Sequence, residues 1–441
     1  MSESHARLPK EPIDRVTKAF GRFLRIEAGA GGLLLLCAIV AVGLSNSPWS
    51  AAFLSFWETP VGLSFGALEL SRSLKHWIND GLMTLFFFVV AIELKREIVL
   101  GELRNPRLAA LSLAGALGGM AAPAALYLLL ASGGAGAHGW GVVMATDTAF
   151  VIGCLALLGA KVPLSLRLFL LSLAIFDDIG AILVVALAYG EALNLWALGL
   201  TALGVAGVAL MARLGVRALA LYSLAGGAIW LAIDASGIHA TLTGVLLGLM
   251  TPARGWVSDI RLRAVLNRVL ARPTGDHWSG DTAERKDLRR AGVAARETLS
   301  PIERLEIMLH PWVAFAVMPI FALANAGVRL TPEALDAGVF SAVIAGLVIG
   351  KPVGVFAASF LAVRLGVAAL PATLTWPMLA AGAMLTGIGF TMTLFIAELA
   401  FDPTMLPSAK AGILSASVVA GVFGLIALFL LSRRGETGPR S

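Results

Sequence analysis

Long apolar runs recur along this chain from Gly29 to Leu431, and they constrain its fold more than any other feature. Each run approaches the ~20 residues that a helix needs to cross a bilayer. Lipid offers the backbone no water, so every N–H and C=O must be paired inside the protein, and such runs fold as helices. Composition agrees: 58% of the 441 residues are hydrophobic and 14% charged, where soluble domains carry about a quarter charged residues. An all-α membrane protein is expected, as one membrane domain. Cys37 and Cys154 both lie in apolar runs, so no disulfide framework follows. No cleavage pattern follows the first run, which is therefore expected to persist as a membrane helix.

Twelve spans are expected, at roughly 29–45, 81–95, 108–131, 140–159, 168–188, 195–212, 218–233, 238–250, 312–328, 339–363, 373–396 and 411–431. Charge sets their orientation. With the N-terminus inside, segments 1–28, 95–107, 160–167, 213–217, 251–311, 364–372 and 432–441 face the cytoplasm. Of the 34 Lys and Arg, only Arg72, Lys75, Arg329 and Lys410 then fall outside, with Lys351 inside a span. This is the positive-inside pattern. Fusing the short seventh and eighth spans would put Arg217 and the basic 251–311 loop on opposite faces, so twelve spans with both termini cytoplasmic fit best. The same distribution ties the net charge of +6 to membrane orientation and argues against a nucleic-acid partner.

The chain so divides into a cytoplasmic N-terminus (1–28), spans one to eight (29–250), a cytoplasmic loop (251–311), spans nine to twelve (312–431) and a cytoplasmic tail (432–441). Ile13, Val16, Phe20 and Phe23, spaced helically among basic residues, make 11–27 an amphipathic surface helix. Outside, Val61, Leu63 and Phe65 alternate after Glu58-Thr-Pro, which suggests a β-hairpin near 58–70. The inner loop reads as solvated, with an amphipathic helix at 257–271.

Asp147, Asp177, Asp178 and Lys351 fall near mid-span. A charge at the bilayer centre costs ~2.5–3.5 kcal/mol on insertion scales, so the set costs on the order of 10 kcal/mol and must face the bundle interior or an aqueous path. One Asp–Lys pair could be structural. Three acids against one base leave carboxylates that must bind a cation, take up protons, or do both. Asp177 and Asp178 point ~100° apart on a helix, so one acid can meet Lys351 while the other faces an ion path. Such a pair titrates with shared rather than individual values.

The Thr146-Asp147-Thr148 run favours side-chain bonding to the backbone over helix continuation. Gly387 and Gly389 weaken the eleventh span by ~1 kcal/mol each against Ala, unless they serve close packing. Spans four and eleven both read as interrupted. Gly346, Gly350 and Gly354 form a small-residue packing face beside Lys351.

At these residues the chain resembles the bacterial NhaA-type sodium/proton antiporters. The resemblance is carried by Val142-Val-Met-Ala-Thr-Asp-Thr-Ala-Phe150, Leu173-Ala-Ile-Phe-Asp-Asp-Ile-Gly-Ala181 and Gly350-Lys-Pro-Val-Gly354. Phe86 to Glu97, His310 to Gly327 and Gly387 to Glu398 add to it, and it runs along nearly the whole chain. These antiporters are themselves type examples of inverted-repeat transporters whose discontinuous helices cross at a midplane site. The resemblance implies inverted repeats in spans 3–5 and 10–12, whose opposite orientations are compatible with that. It implies an ion site of Asp177, Asp178, Asp147 and Thr146, with Asp178 as main ligand and Asp177 as partner of Lys351. Asp147 and Lys351 would offset half-helix dipoles, and Gly387 and Gly389 would mark the second break.

It further implies exchange of external protons for internal sodium or lithium, electrogenic because more protons move than sodium, across a bacterial inner membrane. The ions are substrates; no cofactor is expected. Membrane lipid surrounds the protein, and the hairpin supports a homodimer. Family pH sensing maps to Glu93, Lys95, Arg96, Glu97 and Glu306, where snorkelling basic residues at a helix end are the simpler account. Glu303 replaces a basic residue of the family, and the loop at 270–300 is longer than usual. His239, in a matching motif, reads as a packing or hydrogen-bonding histidine.

A sodium-coupled solute symporter of similar architecture is the alternative. An intramembrane aspartyl protease would need Gly-x-Gly-Asp, but Asp177-Asp-Ile-Gly180 stands here and Lys351 has no part in that chemistry, so no enzyme is expected.

Overall fold

A computed structural model describes residues 27–65, 68–101, 106–131, 135–190, 192–216, 218–271, 283–329 and 336–436. All but the last residue of the amphipathic segment expected at 11–27 lies outside the described residues. The first helices are α1 (Glu27–Ser45), α2 (Met83–Val99), α3 (Pro106–Leu130), α4 (Thr148–Leu158) and α5 (Leu164–Ala188). Then follow α6 (Leu195–Arg213), α7 (Leu219–Asp234), α8 (Leu242–Met250), α9 (Asp259–Leu270), α10 (Ala283–Thr298) and α11 (Pro301–Trp312). The last are α12 (Met318–Asn325), α13 (Ala337–Ala345), α14 (Lys351–Arg364), α15 (Trp376–Leu385), α16 (Phe390–Ala400) and α17 (Leu406–Glu436).

By length and composition, six helical stretches among the described residues can cross a membrane, or up to nine if each of three bent pairs is one span. Two of the segments read as spans are short: α7 has 16 residues and α8 only 9. One bent pair, Gly29–Ser45 with Ser50–Trp57, turns by 120° and reads as a span followed by a surface helix. The chain is thus a mainly helical, multi-pass membrane protein. Leu129, Leu187, Leu195, Trp196 and Leu203 are each more than two-thirds exposed, as apolar side chains facing lipid must be.

Pro60–Phe65 (β1) and Leu68–Ser73 (β2) form an antiparallel hairpin in register Val61↔Arg72. It reaches three residues beyond the segment read from sequence, because alternation fades at Leu70 while the backbone pairing continues to Ser73. The described residues of the 251–311 segment form helices α9, α10 and the start of α11. α9 and α10 pack on each other, Trp256 N and Val257 N donate to Glu297 O at 3.1 and 3.2 Å, and a capping box of Ser300 and Glu303 starts α11.

The tightest packing joins α3 and α14. A Cβ on Gly118 would strike the Gly354 carbonyl, and one on Gly354 the Gly118 carbonyl. Backbones can come this close only where both residues lack a side chain, the usual device where lipid supplies no hydrophobic drive between helices. Just before α14 the chain makes a π-helical turn, Gly346–Gly350. Pro352 has no N–H to donate to the preceding turn, which accounts for the wider ladder there. Together the turn and the contact place Lys351 in the protein interior, with none of its side chain exposed.

Candidate functional site

Two helices are broken at the centre. A 3-10 segment, Ala135–Met144, meets α4 at a 43° bend across residues 145–147, and α15 meets α16 at 50° across residues 386–389. The breaks are joined directly: Asp147 N donates to Ile388 O at 2.7 Å. Each break leaves backbone groups without helical partners, and named side chains take them up.

Asp147 serves two helix starts at once. Its Oδ1 accepts from Phe150 N at 3.1 Å and caps α4. Its Oδ2 accepts from Thr391 N at 3.0 Å and Thr391 Oγ1 at 2.5 Å, in the first turn of α16. One buried carboxylate therefore faces two N-terminal partial charges of about +0.5 each. Lys351 does the converse: its Nζ donates to the carbonyl of Met144, the last residue of the 3-10 segment, where the dipole is negative.

Lys351 Nζ also lies 2.9 Å from Asp177 Oδ2, an ion pair with no exposed side-chain surface on either partner. Thr146 Oγ1 lies 2.7 Å from the same oxygen and 3.1 Å from Thr386 O. Its single proton serves one acceptor at a time. Asp178, the next residue on α5, turns elsewhere, with Oδ2 3.5 Å from Thr148 Oγ1, too long for a strong hydrogen bond. Among the described residues no donor reaches Asp177 Oδ1 or Asp178 Oδ1, both buried. Buried polar atoms are nearly always paired, and a buried carboxylate oxygen left without a donor is a ready ligand for a cation or a proton.

The structure thus gathers Thr146, Asp147, Asp177, Asp178 and Lys351 around one crossing. Gly387 belongs to it for a packing reason: a Cβ there would strike the Leu347 carbonyl. At Gly389 a Cβ would strike the Thr393 side chain. The roles of Thr391 and Thr148 were not legible in the sequence. Thr391 lies 244 positions from its partner Asp147, and only its place in the Gly-Ile-Gly-Phe-Thr391 run marked it out. The backbone acceptors Met144 O, Thr386 O and Ile388 O carry no sequence signal at all.

The residues matched to pH sensing separate into two groups. Arg96 bonds Glu97 at 2.8 Å and closely contacts Glu306, tying α2 to α11. Lys95 instead donates to Leu249 O and Thr251 O, each at 2.7 Å, capping the end of α8. Glu93 stands within electrostatic reach of both Arg96 and Asp178. His239 contacts Tyr189 O through Nε2 at 2.9 Å, a backbone tether at the end of α5. Glu303 is held in its capping box.

The family described as Na+/H+ antiporter 1 matches residues 21–428. The Na(+)/H(+) antiporter NhaA of Rhizobium meliloti is 64% identical over 98% of this chain and 99% of that protein. Na(+)/H(+) antiporter NhaA 1 of Acidiphilium cryptum is 60% identical, covering 98% and 96%, and Na(+)/H(+) antiporter NhaA 2 of Vibrio vulnificus 53%, covering 97% and 96%.

Proposed function

The chain belongs to the Na+/H+ antiporter 1 family, and on that premise we propose that it exchanges external protons for internal sodium, or lithium, across a bacterial inner membrane. The observation that carries this reading is the pair of buried oxygens Asp177 Oδ1 and Asp178 Oδ1, which no donor among the described residues reaches, beside the buried base Lys351.

The charges decide how such a site works. Asp147 is matched by two helix N-termini, and Asp177 by Lys351. Asp178 is left with one negative charge and no ion-pair partner among the described residues. A sodium ion or a proton supplies that match, and the two compete for the same carboxylates. Sodium would take Asp178 Oδ1 and Asp177 Oδ1. Protons would load Asp178 and the Asp177–Lys351 pair. Thr146 supports either state by turning its hydroxyl proton between Asp177 Oδ2 and Thr386 O.

Two proton-loading positions against one sodium site would make each cycle move net charge, at ~2.3 kcal/mol per charge per 100 mV. Access alternates as the crossing, with its two half-helix pairs, moves against the rest of the bundle; members of this family are among the type examples of that motion. The twelve-span arrangement with inverted repeats, both termini cytoplasmic and the hairpin outside, belongs to the same proposal. So does a sensor at Glu93, Arg96, Glu97 and Glu306, with Lys95 fixing α8 beside it. A homodimer through the hairpin completes it.

The test is sodium-driven pH change in proteoliposomes. Asp178→Asn is expected to abolish exchange while leaving the melting temperature within a few degrees of the parent protein. Full exchange by that variant would refute the assignment. Competition sets a further expectation: where a single proton competes, the apparent KM for sodium rises ~10-fold for each unit of pH lost.

A further inference from the structure

On the hairpin side of the protein lies a polar cavity of about 410 Å³, walled by residues of β2, the turn before α2, the end of α7 and the end of α16. It holds a cluster of metal-binding side chains that ion exchange at the central acids does not use. We propose that His76, Asp80 and Asp234 form a binding site for a zinc-like divalent transition metal in the wall of this cavity.

The ligand atoms of these three side chains all lie within 4.8 Å of one another. A tetrahedral zinc with N/O ligands at ~2.0–2.2 Å sets its ligands ~3.4 Å apart, so modest rotation of the side chains closes the gap. His76 and Asp80 are four apart on one helical face. His76 Nε2 sits 3.0 Å from Asp80 Oδ2, an ion pair when the imidazole is protonated and two adjacent ligand atoms when it is neutral. Asp234 ends α7, where the helix dipole favours a cation. Its Oδ2 bonds Arg72 at 2.7 Å, and Arg72 is exposed enough to swing aside for a metal.

The frame behind the ligands is fixed. Trp77 stacks on Trp230 at 5.8 Å, and Trp230 Nε1 donates to Thr84 Oγ1 at 3.0 Å. Those contacts hold α7 against the helix that carries His76 and Asp80. Ser73 caps that helix, accepting from His76 N at 3.2 Å. The other charges in the wall are already matched: Lys75 pairs with Glu398 at 2.8 Å, and Lys410 lies 2.5 Å from the other oxygen of Glu398. With a neutral imidazole, the cluster and Arg72 carry one net negative charge. One imidazole with two carboxylates suits zinc; calcium and magnesium take oxygen-only sets.

The test uses the purified full chain, stripped with a chelator and titrated with Zn²⁺ by calorimetry. One zinc per chain is expected, with affinity reduced ~10-fold or more by His76→Gln, Asp80→Asn or Asp234→Asn and unchanged by His239→Gln, a neighbour in the same cavity. Co²⁺ bound to the unaltered protein should give the intense visible bands of a tetrahedral N/O site, a readout independent of how well the variants fold. Zinc binding unchanged in all three variants would mark adventitious metal on other histidines and overturn the site. So would displacement of zinc by equimolar Ca²⁺, or Co²⁺ spectra of octahedral type. Sodium-driven exchange by the three variants is expected to persist, so failure of the metal site leaves the antiport reading untouched.

Discussion

Asp147 spends its one negative charge on two helix starts, and Lys351 its positive charge on a helix end and an acid. Removing either side of the buried pair should therefore cost more than the pair contributes. Lys351→Met leaves Asp177 charged and unmatched, which is expected to lower stability by ~3–5 kcal/mol. Adding Asp177→Asn to that variant should recover most of the loss, and unfolding in detergent by heat or denaturant distinguishes the two. Thr391→Val removes a hydroxyl bond to a carboxylate at an unchanged volume. It should cost ~1.5–3 kcal/mol, the range for hydrogen bonds to charged groups. The acids and the lysine were legible as residues because a charge in an apolar run is costly wherever it points. Which acid meets Lys351 followed only from the family resemblance, which names Asp177 as the ion pair has it, since adjacent helix positions differ only in direction.

At the level of elements, the break in each crossing helix is held by the other. The Asp147 N to Ile388 O bond and the Thr391 bonds to Asp147 cross between them. The α3–α14 contact sets the depth at which Lys351 enters. Gly354→Val would force those backbones apart and is expected to cost at least ~1–3 kcal/mol, with a lower melting temperature and impaired exchange. Away from the crossing, Arg96 ties α2 to Glu306 of α11. Glu306→Gln removes the charge but keeps the shape, so exchange at its best pH should persist while the pH profile of activity moves. A profile superimposable on that of the parent protein would leave this tie a purely mechanical one. The hairpin and the α9 helix followed from period-two and helical patterns in short windows. The π-helical turn before Lys351 did not, because a proline signals that a ladder is broken without saying how the chain repairs it.

For the molecule as a whole, the apolar exterior and the buried acids make one argument: a surface built for lipid surrounds a centre of buried charge. If the hairpin holds two copies together, deleting residues 60–73 should convert a dimer to a monomer by light scattering in detergent. Exchange in proteoliposomes should survive, since the central acids lie elsewhere.

By itself, the sequence determined that this is a multi-pass helical membrane protein and that four charged residues in apolar runs need a common explanation. Those properties are local or additive: transfer into lipid is set residue by residue and summed along a span. The tertiary structure alone decided that Thr391 bonds Asp147 across the crossing, and that Asp234 converges on His76 and Asp80. These are contacts between segments up to 244 positions apart. No window of the chain holds both partners, so only the packing of helices on one another could bring them together.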